Sequence, residues 1–179
     1  MPEKVTIDAV NDLDREAFVA KFANLYENSP WVAERAWRER PFGSRSELHE
    51  AFLRAMYGAP REWQMALIRA HPDLAGKAAV AGELTPESTR EQASAGLDRL
   101  TPEEYEAFTQ MNADYRQKFG FPMIVCVREH TKESILQNAE SRLGNTREEE
   151  VEAALGEVAK IARLRLQELV EPDEASPEN

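Results

Sequence analysis

The chain has 179 residues, 42% of them hydrophobic, which fits one ordinary domain with a real core and leaves little room for a second. A formal net charge of −11 argues against a large nucleic-acid footprint or an anionic membrane surface, but a small anionic ligand remains open if positive groups cluster locally. The single cysteine cannot form an internal disulfide, no stretch reaches transmembrane length, and the first ten residues carry no signal-peptide apolar run, so the sequence reads as a soluble cytoplasmic protein.

Helix signals follow one another along the chain. Asn11 or Asp12 is placed to cap a first helix with Phe18, Phe22, Leu25 and Tyr26 on one face. Ser29-Pro30 reads as serine at N-cap and proline at the first helical position of a second, ending near Arg40 because Pro41 disfavours helix before it. Ser44 and Glu47 form a capping-box pattern for a third helix bearing Leu48, Phe52 and Met56, broken by Gly58 and Pro60. Residues 61–70 make a fourth, with Trp63, Ala66, Leu67 and Ala70 inward, and His71-Pro72 leaves it extended. After a small-residue connector from Ala75 to Gly82, a helix starts at Thr85 or Ser88 and runs to about Gly96.

Thr101-Pro102-Glu103-Glu104 opens the next with a capping box, a stripe of Tyr105, Phe108, Asn112, Tyr115 and Phe119, and Gly120 as C-terminal cap. Phe121 to Val127 is apolar and β-branched but has no strand to pair with, so it reads as a buried extended segment or the start of a helix. Thr131 begins a helix to Leu143, and a long last one spans about Thr146 to Val170. The fold class is therefore all-α, a single-domain bundle of roughly eight helices over 1–170, with 171–179 a disordered acidic tail.

Three features can carry chemistry. His71 stands at a helix end beside Pro72 and Asp73, where an imidazole suits proton transfer but equally suits capping the last helical carbonyls. Ser88, Glu91 and Gln92 fall together in a first turn if Ser88 is the N-cap, with Ser88 and Gln92 one turn apart on one face. This is an anion-friendly arrangement, or an ordinary capping box. In the last helix, Val151, Leu155, Val158, Ala162, Arg165 and Leu169 form one stripe, which puts Arg165 inward and Arg163 on another face. An inward arginine pairs with Glu91, another carboxylate or a substrate carboxylate, or else snorkels at the stripe edge. His49, His71 and His130 show no metal-ligand spacing, and Cys126 between Val125 and Val127 reads as core. No phosphate loop, dinucleotide fingerprint or nucleophile elbow is present.

The ordered segments Leu25-Tyr26-Glu27-Asn28-Ser29-Pro30-Trp31-Val32, Arg40-Pro41-Phe42, Ala70-His71-Pro72-Asp73-Leu74, Ser88-Thr89-Arg90-Glu91-Gln92, Phe119-Gly120-Phe121-Pro122-Met123-Ile124, Arg142-Leu143 and Ile161 to Leu166 resemble the 2-oxo-4-hydroxy-4-carboxy-5-ureidoimidazoline (OHCU) decarboxylase family from about Phe22 to Leu169. Met123 departs from the phenylalanine often found there. The resemblance implies an all-α homodimer that needs no metal and no organic cofactor and acts on a small anionic substrate; the net charge of −11 adds the expectation that neither nucleic acid nor membrane is a partner. The resemblance also implies His71 and Glu91 as catalytic residues, with Pro72, Ser88, Gln92, Phe121, Ile124 and Arg165 binding the substrate. Two alternatives stand beside it: a related decarboxylase acting on another ureido or imidazoline acid, and a non-enzymatic helical interaction module.

Overall fold

The computed structural model describes residues 3–76 and 82–173. Nine α-helices form among the described residues: α1 (Ile7–Asn11), α2 (Arg15–Phe22), α3 (Trp31–Trp37), α4 (Arg45–Tyr57), α5 (Arg61–Ala70), α6 (Pro86–Ser94), α7 (Pro102–Phe119), α8 (Lys132–Arg142) and α9 (Arg147–Leu169), with one 3-10 turn at Val127–Glu129. No strand forms among these residues; Val5 and Val170 make only an isolated parallel bridge. The all-α expectation holds. The chain groups into two compact units, Met1–Gln64 with Ile161–Asn179, and Met65–Lys160. The connector residues 77–81 lie outside the described residues.

In the first unit, Phe18 and Phe22 of α2 meet Phe52 of α4 with ring centroids 6.0 and 5.6 Å apart, and Tyr26 and Phe42 close the cluster. Helix α3 packs against α2 and α4. The starts of the helices correct several expected caps. Asn11 ends the short α1 rather than capping α2, whose cap is Asp14, accepting from the Ala17 N–H. The Asn11 side chain instead clasps the Phe42 backbone, donating to its carbonyl and accepting from its N–H, both at 2.8 Å. Leu25 and Tyr26 are buried but lie past the end of α2. Pro30, not Ser29, precedes α3, and the Ser29 hydroxyl donates to the Glu27 carbonyl.

Ser44 caps α4 as expected, but Glu47 accepts from Gly43 instead of closing a full box. The inward residues of α5 are Gln64, Met65, Leu67 and Ile68; Trp63 is 45% exposed and Ala66 lies outward too, about one position from the expected phase. Residues expected in a disordered tail are tied down as far as Asp173: Glu171 donates to Val5, and the Asp173 carboxylate accepts from Arg45 and Ser46. Residues 174–179 lie outside the described residues.

In the second unit the expected α7 holds closely. Thr101 and Glu104 exchange the reciprocal bonds of a capping box, and Gly120 terminates the helix at φ 79°, a left-handed geometry that glycine adopts without steric cost. Its buried face is Phe108, Met111, Asn112, Tyr115 and Phe119, while Tyr105 is half-exposed. Phe121 to Cys126 is the buried non-helical segment the apolar run predicted, and it leads into the 3-10 turn.

A buried extended segment with no sheet needs partners for its peptide groups. Glu157 accepts from the Cys126 N–H, and Arg142 donates through Nη1 to the Ile124 carbonyl. Arg142 also donates through Nε at 2.7 Å to Glu150, which is 0% exposed and accepts further bonds from the Tyr115 hydroxyl and the Asn145 amide. Burial first, then the bond to Glu150, raises the Tyr115 pKa, so the phenol remains a donor. Arg142→Met would strand the Glu150 carboxylate in the core; a loss of about 3–5 kcal/mol is expected for breaking a buried pair from one side. Urea denaturation measures it, and a loss under about 1 kcal/mol would show that Glu150 re-pairs or takes up a proton cheaply.

Candidate active site

His71 follows α5 directly, is 7% exposed, and its Nδ1 lies 2.9 Å from the Leu67 carbonyl. A carbonyl only accepts, so Nδ1 carries the proton in this contact, and Nε2 is the nitrogen whose protonation can change. The capping function read from the sequence is thus real, and it also sets the tautomer of the ring. Pro72 then directs the chain away from the helix axis into a short buried loop.

Three side chains hold that loop. Gln92 of α6 accepts from the Ala75 N–H at 3.0 Å and donates to the Asp73 carbonyl at 3.3 Å. Asn112 of α7 donates to the Leu74 carbonyl at 2.8 Å. Arg116, one turn further along α7, donates to the Asp73 carboxylate at 2.9 Å. Ala75 adopts φ 53°, a left-handed geometry costly for a residue with a side chain. The bond to Gln92 offsets part of that cost on the very peptide that bears it.

Helix α6 begins one turn before Ser88. Thr85 is its N-cap and accepts from the Ser88 N–H, so Ser88 is not the cap and that N–H is already taken. The expected shared face survives this shift, with Ser88 and Gln92 both buried one turn apart. Glu91 is half-buried on a neighbouring face. Helix α6 packs against the 3-10 turn that continues the Phe121–Cys126 segment. Glu91 lies within Coulombic range of Cys126: burial pushes that thiol up to about 11, with added push from Glu129, Glu157 and Glu91. The second unit thus joins the loop that follows His71 and Pro72 to Gln92, and sets Glu91 on the helix that packs against the Val127–Glu129 turn. Phe121 and Ile124 are both buried.

Arg165 belongs to the first unit. The helical stripe places it correctly: Arg165 is 4% exposed, whereas Arg163 is exposed and its charge joins burial in holding the His49 pKa down. Of the partners left open by the sequence, a second carboxylate is the one found. Arg165 Nη1 donates to Glu27 and to the Asn24 carbonyl, each at 2.9 Å. Sequence reasoning missed Glu27 as that partner, although it stands inside a quoted motif, because the two are 138 positions apart. It missed Glu150 for a different reason: an acidic run, Glu148-Glu149-Glu150, makes a buried carboxylate look like a solvated helix start.

The sequence profile of a family described as OHCU decarboxylase matches residues 11–167. The chain is 44% identical over 175 residues to a 2-oxo-4-hydroxy-4-carboxy-5-ureidoimidazoline decarboxylase of Halalkalicoccus jeotgali, covering 98% of this chain and 97% of that one. It is 45% identical over 165 residues to the protein of the same description from Haloferax volcanii, covering 92% and 96%. Among solved structures, a crystal structure of (S)-allantoin synthase superposes with a TM-score of 0.75 at 27% identity over 93% of this chain; the chain spans 54% of that longer one. A crystal structure of OHCU decarboxylase in the presence of (S)-allantoin superposes at 0.67 with 21% identity, over 87% of this chain and 97% of that one, and supports the fold alone.

Removing the Gln92 amide leaves two buried peptide groups of the His71 loop unpaired. In Gln92→Ala the Ala75 amide proton should exchange at least about tenfold faster than in the parent, the scale of one lost buried hydrogen bond. Unchanged exchange by NMR would mean that Asn112 and Arg116 suffice to hold the loop.

Proposed function

We propose that this chain, which belongs to the OHCU decarboxylase family, converts 2-oxo-4-hydroxy-4-carboxy-5-ureidoimidazoline to (S)-allantoin in urate breakdown. The observation that carries the reading at residue level is the held His71: a buried imidazole with its Nδ1 proton committed to Leu67, on a loop braced by Gln92, Asn112 and Arg116.

The chemistry asks for positioned acid–base groups and little else. The substrate bears a carboxylate and a hydroxyl on C4, beside a C5=N imine. When the C4–carboxylate bond breaks, its electron pair forms a C4=C5 bond and the imine pair moves to nitrogen, so carbon dioxide leaves without an external electron acceptor. The former imine nitrogen takes up a proton, the C4 hydroxyl proton is lost as C4 becomes a carbonyl, and C5 gains a proton on one face. The substrate supplies its own electron sink, so neither a metal nor an organic cofactor is required by this route.

His71 does the acid–base work on the C4 side through Nε2. Glu91 orients His71 or handles the second proton. Pro72, Phe121 and Ile124 line the ring, Ser88 and Gln92 hold the ring and ureido group, and Arg165 takes the anionic or carbonyl oxygens. Gln92 has capacity for both tasks, since its amide nitrogen carries two protons and its oxygen two lone pairs. We propose further that the chain works as a homodimer in the cytoplasm, as the family resemblance and a lone unpaired cysteine suggest; light scattering that gives a monomer at micromolar concentration would count against the dimer.

Purified protein should accelerate the loss of OHCU and yield one allantoin enantiomer by circular dichroism, equally before and after exhaustive chelation. His71→Asn should fold and lose about a hundredfold or more in kcat, the scale of a general acid–base group. Parental turnover in that folded variant would return His71 to a capping role, and activity that tracks a stoichiometric metal would overturn the cofactor-free route.

A further inference from the structure

We infer that Glu27 is the positioning residue of Arg165. The inference rests on the reading that Arg165 binds substrate. Both side chains are almost fully enclosed, Glu27 at 3% and Arg165 at 4% exposure, and their contact is a direct 2.9 Å hydrogen bond between opposite charges. Burying two charges together gains little stability over two apolar residues of the same size. A pair in that position therefore needs another reason, and the geometry supplies one. Glu27 and the Asn24 carbonyl both accept from Nη1, so two acceptors on one nitrogen fix the plane of a rigid, planar guanidinium. The chain around Glu27 is shaped for the purpose: Asn28 turns at φ 48°, and the Ser29 hydroxyl and N–H bond back to the Glu27 and Tyr26 carbonyls. These bonds hold the Leu25-Tyr26-Glu27-Asn28-Ser29-Pro30 segment, which has no role in the chemistry as assigned above.

Steady-state kinetics of Glu27→Gln, Arg165→Met and the double variant test this, each assayed well below its thermal transition. Glu27→Gln keeps an acceptor of the same shape and removes the charge. Its kcat/KM should fall about tenfold or more, the scale of a misdirected charge-assisted hydrogen bond, with most of the change in KM. A merely structural defect lowers the active fraction, and so kcat, and leaves KM alone. The double variant should show the KM of Arg165→Met, because Glu27 acts only through that guanidinium. Glu27→Asp, which keeps the charge but withdraws it by one methylene, is read in the same way if Glu27→Gln does not fold. A parental KM in the Glu27 variant beside an impaired Arg165→Met overturns the positioning function and spares the substrate contact. A Glu27 effect that persists undiminished in the double variant overturns it too. Parental kinetics in Arg165→Met would remove the substrate role of Arg165 itself, and this inference with it.

Discussion

A buried peptide group outside a helix still has to find a partner, and in the described segments between these helices long polar side chains supply many of these partners. In the second unit the Ile124 carbonyl is met by Arg142, the Cys126 N–H by Glu157, and the Asp73, Leu74 and Ala75 peptides by Gln92 and Asn112. In the first unit Asn11 closes on Phe42 and Arg165 on Asn24. A sheet would have satisfied such groups by strand pairing. Here helices lend long polar side chains instead, and each loan fixes an irregular segment to a rigid element.

The same arrangement makes sense of the proposed chemistry. Proton transfer to and from a small ring needs groups held to within a fraction of an ångström. Loops are poor supports for that, yet His71, Pro72, Phe121 and Ile124 all sit outside regular helices. Their precision is borrowed through Gln92, Asn112 and Arg142 from α6, α7 and α8. The buried Glu150 carboxylate pairs the Arg142 charge in the core and fixes the direction of its guanidinium.

Local signals in the sequence were good guides where the chain is locally determined. Thr101 with Glu104, Gly120, Ser44 and Thr131 announced helix ends that the structure keeps, and 3.6-residue periodicity alone separated inward Arg165 from outward Arg163. The misses have physical reasons. Of the two starts offered for α6, Thr85 is the one found, because proline at the following position favours it; only the first turn that needed Ser88 as cap fails. Trp63 looked like core because it is large and apolar, but it lies against Trp31 and beneath Arg35 at the surface. Residues far apart in the chain left the least trace: neither Arg165 with Glu27 nor Asn112 with Leu74 has any local pattern that announces it.

Cys126 carries one more consequence. Alkylating agents and peroxides attack the thiolate, and at neutral pH a thiol held near 11 is ionised in only about one molecule in ten thousand. Its peptide N–H is held by Glu157 and its side chain is buried, so reagents have neither the reactive form nor a path to it. The lone sulfhydryl therefore behaves as a small hydrocarbon, and handling in air should produce neither covalent dimers nor a slow drift in specific activity by way of that residue.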